Sequence, residues 1–346
     1  MRLVVDVAPL SHQRTGVGNY VRGSLAGIAE AAAGRHELVA FALASPGGRR
    51  EIEAALDGIP LERRLPALPG AHAVRTAWSR LGAPPLERLA GRLDVLHFSD
   101  WWYPPQRAGI RSTMIHDLVP LHFPAWVHKR TERMHGAKYR HAARTCDVIV
   151  VNSRYTGDDV VRTLGVPAER VHVAYPGVDA AFSPVGPRAS GDYVLTVGTL
   201  EPRKNLGAAI AATRGRELRV VGPPGWGGVQ VEHATWLGYR SPEELPALYR
   251  GASVFVFPSR FEGFGMPVLE AMACGVPCVV SAHPSLDEAC GDAAVRADPD
   301  DADAIAAGIE EALGRRDELV PRGLAHVRAF TWRACGEAHL RAWGAL

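Results

Sequence analysis

The chain is 346 residues long, 47% hydrophobic and 22% charged, with a formal net charge of +2. That length holds two domains with a core each, the composition is that of an ordinary soluble globular enzyme, and the near-neutral charge excludes a nucleic-acid-binding role. No apolar run reaches the roughly 20 residues of a membrane span, Met1 leads straight into a strand-like run with no room for a signal peptide, and the five cysteines (146, 274, 278, 290 and 335) stand at no metal spacing. These features predict a cytoplasmic protein whose thiols are reduced and mostly in the core.

In chain order, strand-like apolar runs fall at 3–7, 38–43, 95–98, 112–116, 148–152 and 171–175, then at 193–197, 218–221, 235–237, 254–257, 278–281 and 294–296. Helical patterns intervene, among them 19–33, 71–91, 129–145, 241–250 and 300–314. Such alternation predicts parallel sheets covered on both faces. A stretch rich in proline and glycine, 182–191, divides two complete sets of βα units. The expected fold is therefore α/β, with two doubly wound, Rossmann-like domains at residues 1–182 and 192–329 joined by a linker at 183–191. Ligands of such sheets lie outside the carboxyl ends of the strands, which here means a cleft between the domains. Charge is unevenly spread: residues 1–182 carry 23 Lys and Arg against 17 Asp and Glu, a balance of +6, and the remainder carries −4. That asymmetry suits an anionic acceptor or an anionic membrane surface. Six of the cations, Lys129, Arg130, Arg133, Lys138, Arg140 and Arg144, share one helical stretch, whose ordinary reading is a solvated face.

The most informative segment is Pro258-Ser-Arg-Phe-Glu-Gly-Phe-Gly-Met-Pro-Val-Leu-Glu270. Glu262 and Glu270 stand eight positions apart across a glycine-broken turn. The run 252–257 before the turn is a buried strand, and Pro267 sits where the first turn of a helix tolerates proline, with Gly275 ending that helix. Glu262 thus leaves the carboxyl end of a strand, Gly263 and Gly265 let the backbone approach a ligand closely, and the helix presents free N–H groups. The result is an anion site with a carboxylate on either side. Arg203 and Lys204, in Val197-Gly-Thr-Leu-Glu-Pro-Arg-Lys-Asn205, follow the first strand of the second domain at a loop-to-helix junction and can grip two phosphates. Gly16 and Gly18, in Thr15-Gly-Val-Gly-Asn-Tyr20, follow the first strand of the first domain. They lack the third glycine of a dinucleotide fingerprint, which argues against a nicotinamide enzyme; read alone they are compatible with a plain turn. His116 ends a buried strand, where a lone histidine is most often structural. Trp101 and Trp102 either stack on a sugar or cover a loop.

Taken together, these motifs resemble those of the group 1 (family 4) retaining glycosyltransferases of the GT-B fold, in particular a mannosyltransferase-like subgroup with Glu-Pro-Arg-Lys-Asn and Phe-Glu-Gly-Phe-Gly stretches. The resemblance runs along nearly the whole chain. It implies that the first domain receives the acceptor, the second holds a nucleotide sugar, and the segment 330–346 is a helix crossing back to the first domain. It implies Glu262 on the donor sugar with Gly263, Phe264 and Gly265, Glu270 on the ribose hydroxyls, and Arg203 and Lys204 on the diphosphate. It further implies Gly16 and Gly18 near the diphosphate and acceptor, and His116 on the donor sugar. One departure is Thr199, where the family usually has an arginine, so Arg203 is expected to do that work. The catalytic set implied is Glu262, His116, Lys204 and Arg203.

No metal or other cofactor is expected: the cations neutralise the leaving group, and Asp298, Asp300, Asp301 and Asp303 start a helix, where acids favour the macrodipole. The donor implied is GDP-mannose in preference to UDP-sugars, and the acceptor is a saccharide, a lipid-linked sugar or a small molecule. A peripheral contact with the inner membrane face through the first domain is compatible with its charge. The alternatives are a phosphorylase or epimerase on the same scaffold, or a non-catalytic sugar-nucleotide-binding protein.

Overall fold

Runs such as Leu3-Val4-Val5 and Val254-Phe255-Val256-Phe257 have no polar face, so each must be covered on both sides, as in a parallel sheet between helices. The computed structural model, which describes residues 1–213 and 215–346, satisfies them in that way: all seven of these side chains are at most 3% exposed. The first sheet contains β1 (Arg2–Asp6), β2 (Glu37–Phe41), β3 (Glu62–Arg64), β4 (Val95–Phe98), β5 (Ile110–Ile115), β6 (Val148–Val151) and β7 (Val171–Val173), in the order β3-β2-β1-β4-β5-β6-β7. The second contains β8 (Tyr193–Val197), β9 (Glu217–Val221), β10 (Thr235–Gly238), β11 (Val254–Phe257), β12 (Cys278–Ser281) and β13 (Val295–Ala297), in the order β10-β9-β8-β11-β12-β13. Every pairing is parallel. In each sheet the strand order runs outward in both directions from the first strand. The topological switch points therefore lie between β1 and β4 and between β8 and β11, where loops leave the carboxyl edge on opposite faces and a ligand can enter.

The chain divides into two compact units. One comprises residues 1–124, 128–177 and 331–346, the other 125–127 and 178–330. The division after Gly177 falls five residues before the boundary expected from the proline-rich stretch, since Val178 N–H donates to Phe330 O (3.1 Å) within the second unit. Within the first unit the C-terminal helix Trp332–Ala342 lies against the helix Gly16–Ala32. Glycine permits the approach: a Cβ on Gly27 would stand 1.7 Å from Trp332 O, and one on Gly336 would stand 2.1 Å from Gly27 C.

The local structure departs from the sequence reading at three places, the first an element it did not include. β3 is a strand of Glu62, Arg63 and Arg64 without apolar character; it is an edge strand, paired only through Val39–Phe41, and so needs no second buried face. The long helical pattern at 71–91 is interrupted: Gly82, at φ 67°, caps the helix Ala71–Leu81, and Pro84 and Pro85 precede the short helix Glu87–Ala90. Gly16 and Gly18 form no separate turn; they occupy the first turn of the helix Gly16–Ala32. All five cysteines are free and buried. Among the described residues no helix is long and apolar enough to cross a membrane.

Candidate active site

In the second unit, β8 ends at Val197 and the chain passes through Gly198 into the single-turn 3-10 helix Pro202–Lys204, with Asn205 in the left-handed region at φ 54°. Beside it, β11 ends at Phe257 and the segment 258–265 leads into the helix Met266–Ala273. Gly265 enters that helix at φ 105°, and a Cβ there would lie 2.6 Å from Leu286 Cδ2, so both conformation and space call for glycine. The two loops are stitched together where Arg260 N–H donates to Arg203 O at 2.9 Å.

This juxtaposition brings Arg203, Lys204 and Glu262 into one buried cluster at the β8–β11 switch point. Lys204 Nζ donates to Glu262 Oε1 at 2.6 Å, and Arg203 Nη1 donates to Glu262 Oε2 at 2.6 Å and to Phe261 O at 3.1 Å. Arg203 Nε pairs in turn with Glu201 Oε1 at 2.7 Å. The Glu262 backbone N–H donates to Ser285 Oγ at 3.1 Å, and that hydroxyl is 2.9 Å from His283 Nδ1. Lys204 Nζ also stands 4.8 Å from the centre of the Phe257 ring, a cation–π contact. Burial alone would push the Glu262 carboxyl up, but the charges of Arg203 and Lys204 outweigh it and hold the group down at about 2. The Lys204 ammonium is lowered by burial and by the neighbouring Arg203, against the pull of Glu262. A small concavity beside the cluster is lined by Gly198, Thr199, Lys204, Leu206 and Phe257.

Glu270 sits within the helix that follows the glycines, 8% exposed, with Oε2 accepting a hydrogen bond from Tyr249 O–H at 2.8 Å. Burial raises its carboxyl to about 7; the Tyr249 hydroxyl opposes this and Asp179 adds to it. The two glutamates of one motif therefore differ in kind, one held ionised by two cations and one poised near neutrality. Phe264, expected at the donor, has its ring buried against Phe330 with centroids 5.6 Å apart, which leaves only its backbone for a ligand.

The first unit holds its own predicted residues. His116 follows β5 and packs edge-on to Tyr20, with centroids 5.1 Å apart. Its Nε2 is buried with no hydrogen-bond partner among the described residues. Burial first, then the charge of Lys138, lowers its pKa to about 3, so the ring is neutral. A Cβ at Gly16 would meet nothing within 4 Å, and Gly18 packs against Arg14. Trp102 is fully buried and donates to Asp6 Oδ2 at 2.7 Å, so of the tryptophan pair only Trp101 retains surface. Lys138, expected on a solvated face, is 2% exposed and donates to Ser99 O at 3.0 Å and to Met114 O. Asp301 caps the helix Ala302–Gly314 through the N–H groups of Asp303 and Ala304, and Asp300 pairs with Arg260 at 2.7 Å.

Sequence reasoning missed Glu201, Ser285 and Tyr249. Glu201 carried a signal, an acid two positions before Arg203. Ser285 and Tyr249 carried none, being 23 and 21 residues from their glutamates.

Two protein-family models match the chain: Glycosyltransferase Family 4 over residues 15–182 and Glycosyl transferases group 1 over residues 230–320. The O-antigen chain mannosyltransferase B of Escherichia coli is 30% identical, over 99% of this chain and 99% of that protein. Among solved structures, a sucrose-phosphate synthase from Thermosynechococcus elongatus superposes with a TM-score of 0.74 at 20% identity, covering 99% of this chain and 98% of that one. A HepE protein from Anabaena in complex with UDP and glucose superposes with a TM-score of 0.72 at 16% identity over the whole of both chains. At such identities these two structures show the shared fold.

Proposed function

The chain belongs to glycosyltransferase family 4, the group 1 glycosyltransferases, and from that premise we propose that it is a retaining hexosyltransferase. It takes mannose from GDP-mannose in preference to UDP-sugars. The observation that carries this reading is the cluster at the β8–β11 switch point, where Lys204 and Arg203 each hold one oxygen of Glu262 at 2.6 Å. A diphosphate placed there meets two cations fixed by the fold. In this reading Lys204 and Arg203 take the diphosphate, Arg203 doing the work of the family's usual arginine at the Thr199 position. Glu270 accepts from the ribose hydroxyls, and Glu262 with the backbone at Gly263–Gly265 positions the sugar. In the first unit, His116, Gly16 and Gly18 serve the sugar and acceptor side.

Neither glutamate acts as a covalent nucleophile. The acceptor hydroxyl attacks the anomeric carbon on the face from which the phosphate departs. The new C–O bond forms as the bond to the phosphate oxygen breaks, and the hydroxyl proton passes to that phosphate oxygen. The protein contributes alignment and charge stabilisation of the leaving diphosphate. No divalent metal takes part, its role being supplied by Lys204 and Arg203. The preference for a mannosyl donor rests on the Escherichia coli relative and on the Glu-Pro-Arg-Lys-Asn stretch.

The test is incubation with a panel of nucleotide sugars and saccharide acceptors, with NMR of the anomeric proton in the product. Transfer from GDP-mannose with the α configuration retained supports the reading. A β product, or transfer confined to another donor, rejects that part of it. A companion thermal-shift panel ranks donors directly, since a ligand at 100 times its Kd stabilises by about 2.7 kcal/mol.

A further inference from the structure

Arg75 is 5% exposed, yet its Nε and Nη1 have no hydrogen-bond partner among the described residues. A guanidinium carries five N–H donors and does not give up its charge in a protein, and buried donors are normally satisfied. The carboxylate beside it, Asp100 Oδ2, is 3.7 Å from Nη1, beyond hydrogen-bond reach, and Asp100 Oδ1 is engaged by the Trp101 N–H at 2.8 Å. Burial pushes the Asp6 carboxyl up and the Arg75 charge draws it down, and the faces of Trp101 and Trp102 lie with ring centres 5.1 and 5.8 Å away.

The position of this group matters as much as its isolation. Asp6 ends β1, and Asp100, Trp101 and Trp102 follow β4, so Arg75 lies at the switch point of the first sheet. Besides the carboxylates of Asp6 and Asp100, the side chains around it are cationic and aromatic. His72, one turn earlier on the same helix, stands 4.5 Å from the Trp101 ring, and Arg130 hydrogen-bonds His72. Trp101 is half-buried and Arg130 is exposed. Two donors of Arg75 without hydrogen-bond partners, a second arginine and an indole face together match an oxyanion carried on a sugar ring: the arginines take the anion and the indole stacks on the ring.

We propose that the switch point of the first unit is a subsite for a phosphate-bearing sugar, with Arg75 as the principal anion ligand, Arg130 as the second and Trp101 as the stacking surface. This inference rests on the glycosyltransferase reading only in calling that ligand the acceptor. Free sugar phosphates and lipid-linked sugar phosphates share the chemistry.

The test is calorimetric titration of the full chain carrying Arg203→Ala and Lys204→Ala, which removes the two cations of the β8–β11 cluster and leaves no transfer step to interfere. The probes are glucose 1-phosphate, glucose and dodecyl phosphate. Glucose 1-phosphate should bind at least tenfold more tightly than glucose, and Arg75→Gln should remove that advantage. Arg130→Gln should weaken binding several-fold, while Asp100→Asn, which removes the competing carboxylate, should tighten it. Stronger binding of glucose 1-phosphate than of dodecyl phosphate identifies a soluble sugar phosphate, and the reverse identifies a lipid-linked one. Equal affinity of the Arg75→Gln and parent chains, or no preference for phosphate over glucose, overturns the proposal and leaves Arg75 as a counter-ion of Asp6 and Asp100. Should Arg75→Gln fail to fold, Arg130→Gln and Asp100→Asn decide: opposite shifts sustain the subsite, and no shift in either rejects it. Because only binding is read, this outcome is independent of whether the chain transfers mannose.

Discussion

Lys204 Nζ and Glu262 Oε1 lie 2.6 Å apart although 58 residues separate them in the chain. They meet because β8 and β11 are neighbours in a parallel sheet and both loops leave from the carboxyl edge. The two cations face two carboxylates, Glu262 and, 2.7 Å from Arg203 Nε, Glu201, so the cluster balances in charge. In the proposed reading an arriving diphosphate competes with both carboxylates for these donors, in a partly desolvated place where charges act more strongly than in water.

The different settings of the two glutamates predict different phenotypes. Glu262→Gln keeps shape and removes the charge facing Lys204 and Arg203, so kcat should fall by orders of magnitude while nucleotide affinity stays within a few-fold. Glu270→Ala, which also leaves Tyr249 O–H without its acceptor, should weaken nucleotide affinity itself. Steady-state kinetics with calorimetry of nucleotide binding separates the two. Exchange of the phenotypes reverses the assignment.

If Lys204 and Arg203 stand in for a divalent ion, full activity should survive EDTA, and Lys204→Ala should not be restored by Mg²⁺ or Mn²⁺. Among the described residues no three His, Cys, Asp or Glu side chains gather as a metal site. Activity lost on chelation and recovered with metal would reverse this assignment.

Much of the architecture was legible because buried parallel strands must be apolar throughout: every run of that kind became a strand, and the glycine and proline punctuation around 258–275 marked the turn and helix correctly. β3 was illegible for the converse reason, since an edge strand of Glu62, Arg63 and Arg64 buries almost nothing. The chemistry of the second unit was legible as residue types at strand ends, but the pairing of Lys204 and Arg203 with Glu262 depends on sheet order, which local pattern does not encode. Lys138 shows the limit from the other side. Its helix reads as uniformly basic, and only the packing against Ser99 and Met114 reveals that one of its six cations points inward.

The raised carboxyl of Glu270 predicts a pH dependence of donor binding. An ionised carboxylate accepts from ribose hydroxyls better than the protonated form. The ionised fraction grows as pH rises through about 7, and the two phosphates of a nucleotide sugar do not titrate in that range. Affinity for the nucleotide sugar should therefore be highest above pH 8 and fall by up to about tenfold for each unit below 7. Glu262, held at about 2, stays ionised throughout. Calorimetry between pH 5.5 and 8.5 should show this slope in the parent chain and a flat, weaker profile in Glu270→Gln; the same slope in both would assign it elsewhere.

Close packing of the two helices in the first unit makes Gly27 intolerant of any side chain. A methyl there would stand 1.7 Å from Trp332 O, and backbone atoms cannot step aside as a flexible side chain can. Gly27→Ala should destabilise by roughly 1–3 kcal/mol or more, lowering Tm by about 2–4 °C per kcal/mol in a unit of this size. Gly47→Ala, where a Cβ meets nothing within 4 Å, is the control. Equal thermal melts for the two variants would contradict the tight helix contact.

The basic helix Lys129–Thr145 supports a prediction narrower than its sequence suggested. With Lys138 buried, Lys129, Arg133, Arg140 and Arg144 remain exposed, and their spacings of 4, 7 and 4 put them on one face. Near an anionic bilayer each such cation contributes about 1 kcal/mol, so three or four acting together give reversible attachment that 0.5 M salt should abolish by screening. Co-sedimentation with anionic liposomes at low salt should retain the protein, neutral liposomes should not, and Arg133→Gln with Arg140→Gln and Arg144→Gln should release it. Lys138→Ala should leave attachment unchanged but destabilise the fold, because it strips the buried carbonyls of Ser99 and Met114 of their donor. Negligible binding to both kinds of liposome would return the face to a solvated role and favour a soluble acceptor over a lipid-linked one.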